Sequence, residues 1–432
     1  MGVGSLGDSM SYQVVGNILQ VLDDSGSLKI DFREDQVLSF DSSGLITDIS
    51  PLTESSVSDA AIDHRGSYIL PAFIDSHVHY PQLDMLGVYS GELLEWLEDH
   101  TFPHEKRLIE NLDLAETAAE NFTRELYANG VGTAVAFASS KKECTDFLFK
   151  QFAETGGRLI SGKVSMDRHA PDELLDPVDE DEQANEDLIK LWHGYDDRIY
   201  YALSPRFAPS CSDDLMRRLA AIKSRHKDLY VQTHYSENTE ELEWVKDLYP
   251  KAHDYLNVYE SFDLLDSRTI LAHGIHASPS EMKRIAEASV CMSHCPTSNL
   301  YLGSGLFPFQ EYLDTGAPLS LGTDVGAGTS FSMWATMVEA IKISKLRKSQ
   351  ILPEQAFYAA SGGAAKALGL EGLGELKKGF QADFQVIDPS SKELFSRRLE
   401  YCEDERQLLS AFIFHSDDRA LKGLWVKGKK IG

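Results

Sequence analysis

Two histidines stand one residue apart in Asp75-Ser76-His77-Val78-His79. Alternate side chains of a strand share one side, so both imidazoles face the same way and form a two-nitrogen platform for a metal ion. Three other short segments end in similar groups. They are Gln232-Thr233-His234 with Glu237 three residues on, Leu271-Ala272-His273-Gly274, and Leu321-Gly322-Thr323-Asp324. Imidazole nitrogen plus carboxylate oxygen is the donor set that borderline cations such as Zn²⁺ prefer, and core packing alone has no reason to place so many titratable groups there. Such a cation lowers the pKa of bound water to about 7 and so makes hydroxide at neutral pH. Hydrolysis of a C–N bond also needs a proton for the departing nitrogen. Glu237, one short turn past His234, is placed to shuttle it, and desolvation would raise its pKa toward the working pH. Asp324 can bind metal and accept a proton from the water. His273 either ligates weakly or orients the attacking hydroxide, and its spacing leaves both roles open.

These residues need a frame that holds strand ends together. Apolar runs of strand length recur eight times, most separated by helical patterns: Tyr68–His79, Gly132–Ala138, Leu159–Met166, Ile199–Phe207, Leu229–Glu237, Thr269–His276, Ser289–His294 and Pro318–Asp324. Alternating buried strand and helix implies a parallel sheet, and eight units imply closure into a (β/α)8 barrel whose chemistry sits where strands end. The barrel is assigned residues 68–373. It needs ~250 residues, and the 432 present leave room for a second unit. Residues 10–67 and 374–432 read as short strands and turns, and pair into one discontinuous β domain. Met1–Ser9 is Gly/Ser-rich, reads as a non-native leader and stays out of fold reasoning.

At this point the motifs resemble the amidohydrolase superfamily, in particular its metal-dependent deaminases. Leu70-Pro71-Ala72-Phe73-Ile74-Asp75-Ser76-His77-Val78-His79 is similar to the opening "PGFIDxHxH" of that superfamily. Lys378-Gly379-Phe380-Gln381-Ala382-Asp383-Phe384 departs from the usual "GKxADL" by Phe380 for Lys and Phe384 for Leu, in the β domain away from any catalytic residue. Finer motifs are similar to those of the guanine deaminases: His79-Tyr80-Pro81-Gln82, Leu93-Leu94-Glu95-Trp96-Leu97 with Thr101-Phe102-Pro103, Ser204-Pro205-Arg206-Phe207, and His234-Tyr235-Ser236-Glu237. The resemblance implies a distorted TIM-like barrel with a small β sandwich built from both chain ends. It implies one Zn²⁺ per chain on His77, His79, His234 and Asp324. It implies catalysis by Glu237, Asp324 and His273 on a guanine base. The base would lie against His79, Tyr80, Pro81, Gln82, Arg206, Phe207, His234, Glu237 and Asp324. Arg206 only donates, which suits the O6 acceptor of guanine and leaves the amino group of adenine facing a like donor; such a mismatch discriminates by ~10⁴ or more. Gln82 both donates and accepts, and Phe207 offers a stacking face. The expected reaction is attack at C2, with Glu237 protonating N3 and Asp324 relaying the water's proton to the amine, giving xanthine and ammonia.

Other readings stand beside this one. A mononuclear deaminase of another purine, a pterin or a nucleoside-derived compound shares the site. A two-metal cyclic-amide hydrolase would want a carbamylated Lys at the end of strand four, where Arg206 stands; Lys163, on strand three, reads as structural. A silent scaffold has no need of five intact polar groups. Iron would accept the same ligands as zinc. Cys291-Met292-Ser293-His294-Cys295 has the wrong spacing for a metal knuckle. The acidic Asp172–Asp187 stretch reads as a solvated loop, and Gly303-Ser304-Gly305 as an ordinary turn. The formal net charge of −27 argues against nucleic acid and anionic membranes as partners. Five cysteines, an odd number, suit a reducing cytoplasm. Relatives of this kind imply a homodimer.

Overall fold

The computed structural model describes residues 12–53, 56–58, 60–89 and 91–432; Met1–Ser9 lies outside them. Eight parallel barrel strands follow in chain order, each overlapping a run expected from the sequence, with the second and third starting one residue early at Val131 and Arg158. They are Phe73–His79, Val131–Phe137, Arg158–Gly162 (prolonged by Val164–Ser165), Ile199–Pro205, Tyr230–Tyr235, Thr269–His273, Cys291–His294 and Leu319–Leu321. They are buried on both faces, which is why they read as continuous apolar runs rather than alternating ones. The backbones of the first and eighth strands join at their carboxyl ends, where Asp324 N donates to His77 O (2.8 Å) and His79 N to Val325 O (2.7 Å). Lower down, Ile74 N and Leu321 N donate instead to the carbonyls of Ala360 and Ala359, both at 3.0 Å. That inserted segment is the distortion of the barrel. Below it, Ile74, Val135, Ile160, Ala202, Tyr230, Ile270 and Cys291 form a layer capped by Ala364, Ala365 and Leu368 near the helix Gly362–Ala367. The amino end of the barrel interior is thus plugged, and the carboxyl end carries the open site.

Tyr68–Pro71 departs from expectation. These residues close the strand Ile62–Pro71, which pairs with Tyr12–Asp24 and Phe384–Ile387 rather than with the barrel. Ala72 separates it from the first barrel strand. The chain ends share one seven-stranded sheet. Phe40 and Phe384 lie three strand steps apart in that sheet, roughly 14 Å if it were flat, yet their ring centroids are 5.9 Å apart. The sheet therefore curls over its own core of Val14, Ile18, Leu38, Phe40, Ile69, Phe384 and Trp425. The C-terminal stretch also holds two helices, Glu393–Leu399 and Glu405–His415, and the second packs on barrel helices Met333–Leu346 and Pro353–Tyr358. Asp383 fastens the two units: it takes the buried Arg158 guanidinium at 2.5 Å and the Lys427 backbone N–H at 2.7 Å.

The acidic stretch is not a solvated loop. Val178–Trp192 is a helix with Asp179, Glu180 and Asp181 in its first turn, where the helix dipole favours carboxylates. Asp181 is fully buried against Lys163, which also meets Asp176 at 2.9 Å. Lys163 is therefore structural. Among the described residues, no helix is long and apolar enough to cross a membrane.

Strand eight approaches strand one closely because residue 322 is glycine. A Cβ there would sit 2.7 Å from His77 Cβ and 2.9 Å from His77 N. Both neighbours belong to a rigid strand. Gly322→Ala is thus expected to shift His77 away from Asp324, lowering bound metal and melting temperature together; an unchanged metal content would show that the barrel absorbs the methyl group.

Candidate active site

The first strand delivers His77 and His79, the fifth His234, the sixth His273, and the turn after the eighth Asp324. Three of these turns need unusual backbone: Ser236, His273 and Asp324 have φ of +53°, +74° and +52°. Non-glycine residues in this region cost energy and cluster at functional sites; here the turns bring side chains into the barrel mouth. Asp75 ties the first and eighth strands. Its carboxylate accepts from His77 N (3.2 Å), Thr323 N (3.0 Å) and the Thr323 hydroxyl. Burial pushes its pKa up to about 7, while those bonds pull it down.

Four side chains converge. His79 Nε2 lies 3.2 Å from both His77 Nε2 and His234 Nε2, and Asp324 Oδ1 lies 3.2 Å from His77 Nε2 and from His79 Nε2. His234 Nδ1 donates to Arg206 O at 2.6 Å, which leaves its Nε2 as the lone-pair nitrogen. Burial lowers the pKa of all three histidines, that of His79 to about 4, so each is a neutral ligand. Each of the four offers one ligand atom within 4.8 Å of the others. This donor set fits one divalent cation such as zinc. A second set shares two of these residues, His77 and Asp324, and adds His273 and Cys295. Cys295 thus stands beside the centre, whereas Cys291 belongs to the layer at the opposite end. Phe137, at the end of the second strand, packs on His77, His79 and His234 with ring centroids 4.7–5.3 Å away.

Two buried carboxylates beside these histidines are pushed apart. Burial, then the charge of Asp324, raises Glu237 well above the usual carboxyl range. Burial opposes ionisation of Asp324 too, but the neighbouring histidines hold it well below that range. Such splitting separates a proton donor from a proton acceptor. His273 Nε2 lies 3.4 Å from Glu237 Oε2 and 3.8 Å from Asp324 Oδ2, while its Nδ1 is held by Asn299 Oδ1 at 2.9 Å. Ser304 donates to Glu237 Oε1 at 3.4 Å, and His276 Nε2 reaches Ser304 O at 2.9 Å. The Gly303–Gly305 turn is therefore part of the site. His294 is not: its ring stacks on Phe307 at 4.3 Å, and among the described residues neither nitrogen has a hydrogen-bond partner.

Above the carboxylates lies a pocket walled by Gln82, Arg206, Phe207, Leu93, Trp96 and Leu97. The last three roof it. They belong to a continuous helical run, Leu93–Glu110, interrupted by a π turn at Leu97–Thr101. Pro103 follows at once, and the π turn accommodates the hydrogen bond it cannot donate. Tyr80 and Pro81, expected against the base, do not line this cavity. The Tyr80 ring packs on Phe122 and its hydroxyl donates to Cys144 O at 2.8 Å; the pair begins the short turn that carries Gln82 inward. The expectation also lacked Glu105. This buried carboxylate accepts from both Arg206 terminal nitrogens, at 2.7 and 3.1 Å, and from Gln82 Nε2 at 3.0 Å. A buried guanidinium needs a counter-charge, and Glu105 stands two residues past the Thr101-Phe102-Pro103 motif.

The amidohydrolase family profile matches residues 68–431. A curated guanine deaminase of Escherichia coli (strain K12) is 39% identical over 370 residues, 85% of this chain and 84% of that protein. The solved E. coli guanine deaminase superimposes with a TM-score of 0.92 at 34% identity, covering 98% of this chain and 99% of the other. That of C. acetobutylicum, solved with guanine bound in its active site, superimposes with a TM-score of 0.90 at 31% identity, covering 98% and 100%. Profile, sequence similarity and shared architecture agree that the chain belongs to the amidohydrolase family.

Proposed function

We propose that the chain is a guanine deaminase that hydrolyses guanine to xanthine and ammonia, with one zinc ion held by His77, His79, His234 and Asp324. The observation that carries this reading is the pair of buried carboxylates with opposed pKa shifts beside three neutral histidines, under a wall of Arg206 and Gln82. Similarity to guanine deaminases over most of the chain, and to one solved with guanine, supports the substrate. Bound zinc supplies Lewis acidity that lowers the pKa of the attacking water.

The residues divide the rest. Arg206 donates to O6 and Gln82 reads the adjoining amide edge. Phe207 offers its ring to the base, and the indole N–H of Trp96, which has no hydrogen-bond partner among the described residues, is available to an acceptor on it. Glu237, protonated because it is buried, gives its proton to N3 as water adds at C2. His273, fixed by Asn299, orients that water. Asp324 takes the water's proton and passes it to the amine; the C2–N2 bond then breaks as the C2 hydroxyl returns a proton to Glu237 and becomes the carbonyl. The roof of Leu93, Trp96 and Leu97 excludes bulk water and strengthens each of these polar contacts. The five unpaired thiols suit a cytoplasmic enzyme, and the family resemblance carries a homodimer.

The test is direct. Purified, metal-analysed protein is expected to convert guanine to xanthine and to leave adenine and cytosine untouched. Metal-loaded protein that ignores guanine would discard the substrate and redirect the search to pterins and cyclic amides.

A further inference from the structure

Glu105 is a buried carboxylate behind the base-facing wall that the proposed reaction leaves without a task. It lies outside the cavity lining, is 6% exposed, and touches the site only through Arg206 and Gln82. Two bonds to the Arg206 guanidinium make the pair fork-to-fork, a geometry in which both partners are held flat. The Phe102 ring lies against the guanidinium 5.2 Å away, so little water shares it. Gln82 is oriented by the same carboxylate: its Nε2 donates to Glu105 while its Oε1 accepts from Gly326 N at 3.3 Å. The wall therefore offers donors with no net charge.

That neutrality bears on what the cavity retains. Guanine is a neutral lactam near physiological pH. Xanthine, with a second ring carbonyl, is more acidic and gives up a ring proton in mildly alkaline solution. A guanidinium alone would attract the resulting anion strongly in a buried, low-dielectric site. Paired with Glu105, it donates hydrogen bonds without that attraction.

We propose that Glu105 is a positioning residue that sets the charge preference of this wall, so that the cavity holds a neutral purine lactam and lets an anionic purine go. The substrate class rests on the guanine reading above; the charge preference rests on the Glu105–Arg206–Gln82 geometry. The shift expected of an uncompensated guanidinium is about ten-fold or more in the relative affinity of anionic and neutral ligands.

The experiment measures dissociation constants of xanthine and hypoxanthine by calorimetric titration of the metal-loaded enzyme in mildly alkaline buffer. There xanthine is largely a monoanion and hypoxanthine largely neutral. In Glu105→Gln the ratio is expected to move toward xanthine by about ten-fold, while KM for guanine rises because Arg206 and Gln82 lose their fixed partner. Glu105→Asp keeps the charge and is expected to stay near the wild-type ratio, which mere loss of packing would not predict. A folded Glu105→Gln with an unchanged ratio overturns the proposal. If that variant does not fold, a wild type that binds xanthine more tightly than hypoxanthine overturns it alone, and the reverse preference supports it. Absence of guanine turnover with the ratio shift intact would fail the functional reading and leave the role of Glu105 standing.

Discussion

Glu237→Gln is expected to keep its metal and lose about 10²–10⁴ in kcat, the range a positioned proton donor supplies. The amide is nearly isosteric and still meets the Ser304 hydroxyl, so the cavity keeps its shape. Glu237 is outside the set of His77, His79, His234 and Asp324, so metal content has no reason to fall. What the variant loses is a proton that can leave. By the usual exponential relation the drop corresponds to about 3–5 kcal/mol of barrier. Because burial raises the Glu237 pKa above the usual carboxyl range, the carboxyl keeps its proton to higher pH than a free one, and wild-type turnover should decline as pH rises through the raised value. Steady-state kinetics with metal analysis of the same sample checks both parts. Full activity in the variant would remove Glu237 from the proton path and leave His273 as the neighbouring candidate.

Metal removal is expected to have the larger effect: dialysis against a chelator should abolish turnover, and about one equivalent of Zn²⁺ per chain should restore it. Three neutral imidazoles and a carboxylate held within 3.2 Å contacts have no other evident task, and none of them alone activates water. Occupancy should also raise the melting temperature, since the cation binds only the folded arrangement, whose ligands come from three widely separated segments. Retained activity in metal-free protein would overturn the hydrolytic mechanism. Restoration by Fe²⁺ as well as Zn²⁺ would show that the same ligands accept either ion.

Much of the candidate site was legible along the chain because most of its members sit at the end of an apolar run. His77 and His79 share a strand face by the two-residue period, and His234, His273 and Asp324 close three other strands, so barrel closure brings them together. The family resemblance then carried the ligand assignment and the guanine substrate. Boundaries were less legible. Tyr68–Pro71 and Phe73–His79 form one apolar run, and only pairing partners show that the chain leaves one sheet for another at Ala72.

The amino-acid sequence by itself determined the barrel, the histidines that could hold a metal and the two carboxylates beside them, because these depend on local period and residue type. Tertiary structure alone decided the partners. Glu105 lies 101 residues from Arg206, and Asp181 lies 18 from Lys163, yet each charge is buried only because the other is there. It also decided that Tyr80 turns away from the cavity, that Ser304 reaches Glu237, and that Glu237 and Asp324 titrate in opposite directions. A carboxyl group has the same chemistry at every position in a sequence. Burial, neighbouring charge and the direction of its hydrogen bonds set its pKa, and these exist only when the chain is folded.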